Sequence, residues 1–215
     1  TISNSSPSII DVDISGGGTL GTIDGGAIAI SGGSPSLETV SITGSMGRRG
    51  GAIYAYGQAA VSIIDLSIDS TSATYGGALY FDDVTVTADT VDIVDVQVDR
   101  SGGGAYIDDA DVTFSSLSIT DTIGNDTWGV GLYIRDRSNV SVTTGTITGN
   151  VATNYISGYY GGGIFVEGSS ILSLSDVELS NNTAYAGGGL AVDDYSSATL
   201  SDVVFDTNEA DDRGG

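Results

Sequence analysis

The chain has 215 residues and a net charge of −22, from 28 acids and six bases, with neither Cys nor His. That balance argues against nucleic acid or an anionic membrane as partner, since both call for a basic patch. Without Cys and His there are no disulfides, no thiolate zinc sites and no imidazole acid–base catalysis. Four of the acids are Glu, the rest Asp, and every base is Arg. No apolar run approaches the roughly 18 residues of a membrane-spanning helix. The opening TISNSS carries neither an initiator Met nor a signal peptide, as expected of a processed chain or a segment of a longer one. With 33 Gly and two Pro among many Ser, Thr, Val and Ile, the composition suits short strands joined by tight turns.

The first apolar segments, Pro7–Ile9–Val12–Ile14 and Pro35–Leu37–Val40–Ile42, share one pattern. The same apolar-x-apolar-x-x-apolar-x-apolar order returns at Val61–Ile68, Val86–Ile93, Val112–Ile119, Val140–Ile147, Leu172–Leu179 and Ala198–Phe205. Between these segments lies a Gly pair followed by Gly or Ala, with the third residue at Ala27, Ala52, Ala78, Gly104, Gly131, Gly163 and Gly189, the pair degenerating to Gly129-Val130 before Gly131. The spacing is close to 26 residues, except in one copy lengthened over 150–160, where a protruding loop is expected. After each pair come two alternating apolar columns. One runs Ile28, Ile53, Leu79, Ala105, Leu132, Ile164, Leu190; the other runs Ile30, Ala55, Phe81, Ile107, Ile134, Val166, Val192.

Alternation with a period of two puts both columns on one face of a strand. The slipped alternation in the longer segments reads as two strands meeting at a one-residue bend. A repeat of this size cannot bury its apolar face alone, so the copies must stack, each strand bonding to its equivalent one turn away. The expected fold is all-β: a parallel β-helix of about eight coils with three short strands per coil, forming one domain over residues 1–215.

The motif GG-[GA]-φ-x-φ, with a φ-x-x-N tail in Ile147–Asn150, Leu179–Asn182 and Phe205–Asn208, resembles the repeats of polymorphic outer-membrane proteins. More broadly it is similar to the right-handed β-helix repeats of the pectate-lyase-like superfamily. The resemblance implies a right-handed coil and an extracellular or cell-surface setting. Earlier copies carry Thr71, Val96 or Thr122 in place of the tail Asn, so an internal asparagine ladder would be discontinuous.

In a stack, chemistry is sought in columns. The outward position between the two apolar columns reads Tyr54, Tyr80, Tyr106, Tyr133, Phe165, an aromatic ladder on a face expected to be exposed. Two readings stay open: stacked rings that stabilise neighbouring strands, or a contact surface for glycan rings or another protein. Beside it runs an acidic column that includes Asp82, Asp83, Asp108, Asp109, Asp193 and Asp194. Like charges at strand spacing repel by roughly 1 kcal/mol per pair even at the dielectric of water. A plain solvated turn, high salt, or calcium bridging adjacent turns would each account for the column. Arg135 replaces the acid in one copy, within reach of Asp108 or Glu167.

Sequons stand at Asn4, Asn125, Asn139 and Asn181.

The expected function is an extracellular structural or adhesive module of a surface or secreted protein, in saline surroundings, pairing end to end with other copies or with a surface protein. The alternative is a carbohydrate-binding module or a lyase-like enzyme on an extracellular polysaccharide. The lyase would use Arg135 and Arg137 on one face, with Asp136 between them pointing away.

Overall fold

The computed structural model describes residues 1–125, 127–153 and 160–214, and all regular structure among them is strand. Three parallel sheets run the length of the stack. The first has eight strands, among them Ile28–Ser31, Ile53–Tyr56, Leu79–Asp82 and Ala105–Asp108, each bonded to its equivalent in the next coil. The second holds the long apolar segments, and the third has seven strands, including Met46–Arg49, Ser72–Tyr75 and Gln97–Ser101. About eight coils at ~4.8 Å make a rod roughly 35–40 Å tall.

The expected columns are vertical neighbours. Ala105 pairs with Leu79 on one side and Leu132 on the other, and Ile107 with Phe81 and Ile134. These side chains meet the inward residues of the second sheet in one continuous core, with Phe81 and Phe114 fully buried. Such burial in every coil supplies the favourable term that one coil alone would lack.

The three strands of each coil are made up differently from the sequence reading. In the middle coils the slipped segment stays one strand, as in Ala60–Asp69 and Thr85–Val94, with two consecutive residues outward at the slip. A left-handed residue marks the bend only toward the ends, at Asp11, Thr39, Asp176 and Asp202. The third strand instead comes from the short segment between the tail position and the Gly pair.

Two corners explain the remaining pattern. After the second sheet the chain turns through a left-handed residue in every coil, from Gly16 and Gly44 through Ser70, Asp95, Asp121 and Gly149 to Asn181 and Thr207. The next position faces inward, and there Asn150, Asn182 and Asn208 form a ladder. Asn150 Nδ2 donates to Asn182 Oδ1 at 2.9 Å, and Asn182 Nδ2 to Asn208 Oδ1 at 3.0 Å. Toward the N-terminal end Thr122 N caps the ladder by donating to Asn150 Oδ1, while Thr71 bonds to Gly77 O instead. The second corner is the Gly pair. Its first member is left-handed, as at Gly50 (φ +65°), where an added Cβ would lie 2.0 Å from Ile53 O. The loop expected over 150–160 falls mostly on 154–159, outside the described residues. All four sequon asparagines are exposed.

Candidate functional site

The ladder residues Tyr54, Tyr80, Tyr106, Tyr133 and Phe165 do share one column, with successive centroids 4.4–5.6 Å apart in stacked and edge-on pairs. The expected exposure is corrected. These side chains are between 1% and 7% exposed and form a second core on the outside of the coil. The cover comes from neighbouring columns. Tyr75 and Tyr160 of the third sheet lean against the row, and Tyr56 stacks on Tyr54. The Arg49 guanidinium lies 4.4 Å from the centre of the Tyr54 ring, a cation–π contact. A glycan would meet the cover rather than the faces of these rings.

The acidic column serves this second core. Tyr54 donates to Asp82 at 3.4 Å, and Tyr133 donates to Glu167. Arg135 Nη1 donates to Tyr106 Oη at 3.3 Å, and Arg135 Nε faces Asp108 Oδ1 at 3.8 Å. Burial pushes the Tyr54 and Tyr106 hydroxyls up to about 12, so both stay neutral. At the N-terminal end of the row, Asp24 takes both Arg48 and Arg49 at 2.7 Å. Burial alone would raise its carboxyl, but the hydrogen bonds and charges of the two arginines outweigh that and hold it at about 2.

The remaining acids mark turns. Asp83, Asp109 and Asp194 all have φ near +50°, a region where Asp is tolerated through its short hydrogen-bonding side chain. Asp83 and Asp109 line a shallow groove of about 240 Å³ with Gln58, Asp111 and Arg137. Asp193 Oδ1 accepts from Asp194 N within its own turn. Among the described residues no three acidic side chains converge to hold an ion. The repulsion along Asp82 and Asp108 is met in part by Arg49 and Arg135.

The lyase-like arrangement also needs correction. Asp136 does not point away: its Oδ2 accepts from Arg135 Nε at 2.8 Å. Asp136 and Arg137 are both left-handed, so strand alternation does not extend through them. Arg137 bonds instead to Asp109 at 3.3 Å.

Asp108 is half-buried, and that burial pushes its carboxyl up to about 6; Arg135 pulls it down and Asp136 pushes it further up. A carboxyl raised above its unfolded value holds its proton more tightly in the folded state. Its contribution to stability is therefore greatest at low pH and declines as pH rises from about 4 to about 6. Asp108→Asn should flatten this part of the stability–pH curve and melt higher than the wild type at pH 7. Thermal melts of both proteins across that range would check it; parallel curves would refute the assignment.

Sequence reading missed a further column. The residue just before each glycine corner runs Asp24, Arg49, Tyr75, Ser101, Trp128, Tyr160, Ala186, Arg213; the first five pair coil to coil, as do Tyr160 with Ala186 and Ala186 with Arg213. Its middle lines a groove of about 630 Å³ with Thr74, Tyr75, Asp99, Arg100, Ser101, Asn125 and Trp128. The signal was available as a third periodic column, read backwards from the glycines.

With this geometry in hand, comparison with known families is direct. The family described as "Right handed beta helix region" matches residues 1–214. The chain belongs to that family. The right-handed β-helix therefore extends over essentially the whole sequence, and the handedness expected from its repeats holds. Searches of curated proteins and of solved structures found no match.

Proposed function

We propose that this right-handed β-helix is a structural, adhesive module of a surface or secreted protein, and that copies of it associate end to end. The observation that carries the reading is that the same three apolar columns run through every coil of the stack, so that a coil of one copy set on a coil of another continues them. In the last coil Val192, Leu200 and Phe205 are each between 40% and 48% exposed. In the first, Ile2, Ile9 and Ile14 are only partly buried. These residues belong to the same three columns. Ile2 stacks on Ile30 at one end of its column, and Val166 on Val192 at the other. Ile9 and Leu200 end a second column, and Ile14 and Phe205 a third.

A second copy set on the last coil would bring Ile2 over Val192, Ile9 over Leu200 and Ile14 over Phe205. The backbone groups of the two facing strands would continue the three ladders. Such a contact is head-to-tail and does not close on itself, so it generates filaments rather than rings. The charge of −22 keeps such a rod soluble in saline water, where screening limits repulsion along its length.

Sedimentation velocity over a range of protein concentrations tests this. The wild type should form a concentration-dependent series of oligomers, seen by electron microscopy as rods of increasing length. The Leu200→Asp/Phe205→Asp double variant should sediment as a monomer, because each buried carboxylate would lack a partner. A wild type that stays monomeric up to millimolar concentration would end the proposal.

A further inference from the structure

The buried aromatic row continues past its inner members and reaches the surface at two places. Tyr56 stacks on Tyr54 with centroids 4.7 Å apart, and Tyr54 meets Tyr80 at 5.5 Å. Tyr80 and Tyr106 lie parallel at 4.4 Å, Tyr106 meets Tyr133 at 4.9 Å, and Trp128 sits beside Tyr133 at 6.3 Å. The four inner rings are buried, whereas Tyr56 is 37% and Trp128 38% exposed. From Tyr54 to Tyr133 the row climbs three coil spacings, about 14 Å. Beyond Tyr133, Phe165 stacks at 5.6 Å, but its ring carries no hydroxyl and ends the oxidisable run.

Packing alone does not call for the hydroxyls. Phe165 shows that the column accepts a bare ring, and burying a phenol costs more than burying a phenyl. Two of the hydroxyls are aimed at carboxylates instead: Tyr133 donates to Glu167, and Tyr54 donates to Asp82 at 3.4 Å. A phenol gives up an electron readily when its proton has an acceptor within hydrogen-bond reach. Tyr133 and Tyr54 are therefore stations for a tyrosyl radical, joined by the parallel Tyr106–Tyr80 pair. On Tyr106 the cationic Arg135 donor disfavours a lasting hole.

We infer that the row carries one-electron oxidising equivalents from Trp128 through the interior to Tyr56, taking them from oxygen-centred radicals at the surface. A peroxyl radical takes an electron and the indole N–H proton from Trp128 and becomes a hydroperoxide. Tyr133 returns the electron, water returns the proton, and the Tyr133 hydroxyl proton moves to Glu167. An electron from Tyr54, relayed by the Tyr80–Tyr106 pair, restores Tyr133, which recovers its proton while that of Tyr54 moves to Asp82. Tyr56 then reduces Tyr54, which takes its proton back from Asp82, and Tyr56 loses its own proton to water. The net change is one peroxyl radical reduced and one neutral radical on Tyr56, which a soluble enediol or phenol quenches by giving a hydrogen atom. At neutral pH a tyrosine that sheds its proton is oxidised slightly more easily than tryptophan, which sets the direction. The Arg49 guanidinium, 4.4 Å from the centre of the Tyr54 ring, keeps the hole from resting there. With no Cys and one Met in the chain, few other side chains compete for it.

Trp128 is the single tryptophan, so pulse radiolysis with azide radicals makes one defined indolyl radical. Its absorbance should decay by a first-order process independent of protein concentration, with a matching rise of tyrosyl absorbance. Glu167→Gln keeps the side-chain shape but cannot take the proton, and should slow that transfer about tenfold or more. A nitroso spin trap, located by peptide mass spectrometry, should mark Tyr56 in the wild type. Tyr80→Phe keeps the ring and should leave the first transfer unchanged, while the mark on Tyr56 falls to the background seen with Trp128→Phe. Purely second-order decay of the indolyl radical, a wild-type rate in Glu167→Gln, or a wild-type yield of the Tyr56 adduct in Tyr80→Phe would each overturn the inference.

Discussion

Asn182→Ala should lower folding stability by about 3–5 kcal/mol, since it strips hydrogen-bond partners from several buried groups at once. The Asn182 side chain is fully buried and bonded on every side. Its Oδ1 accepts from Asn150 N and Asn150 Nδ2, while its Nδ2 donates to Ile147 O and Asn208 Oδ1. An alanine there satisfies none of them, and the space is too enclosed for bulk water to substitute. Asn208→Ala, by contrast, removes the last, half-exposed rung and should cost about 1 kcal/mol. Urea denaturation of both variants would show the contrast as a several-fold difference in midpoint shift. Equal shifts would mean that the ladder adds nothing beyond its individual bonds.

Gly50→Ala should destabilise by roughly 3 kcal/mol or more, combining a left-handed backbone with a collision. The added Cβ would lie 2.0 Å from Ile53 O, and that carbonyl is fixed in the first sheet. Gly44 provides the control. It is equally left-handed, at φ +67°, but its added Cβ would meet nothing closer than a backbone nitrogen 4.0 Å away. Equivalent corners already hold Ser70, Asp95, Asp121 and Asn181. Gly44→Asn should therefore change stability by no more than about 0.5 kcal/mol. If circular dichroism melts place the two variants together, conformation rather than crowding explains why glycine recurs before the first-sheet strands from Ile28–Ser31 onward.

What the sequence showed about this fold followed from which residues repeat strongly. Leu79, Ala105 and Leu132 were readable as neighbours because period-two alternation and a constant interval both point to them. The third sheet was not, because segments such as Met46–Arg49 and Ser72–Tyr75 are short, half-polar and lack an aliphatic alternation. That omission explains the misjudged exposure of the tyrosine row. Tyr54 through Phe165 were placed correctly in one column, but their cover, Tyr75 and Tyr160, belongs to the sheet that went unread. Asp136 shows the same limit on a smaller scale. Alternation assigns directions only while the backbone stays extended, and two successive left-handed residues turned that carboxylate back onto Arg135.

The orientation of the ladders has a mechanical consequence. Every inter-coil hydrogen bond runs along the long axis of the rod, so tension applied at its two ends pulls each rung open in turn rather than shearing many together. A coil peeled away would lengthen the chain by roughly 26 × 3.4 Å, close to 90 Å, in place of the ~4.8 Å it occupied. Stretched between two surfaces, such a rod would yield at modest force in evenly sized steps, dissipating work as it extends instead of snapping at its attachment.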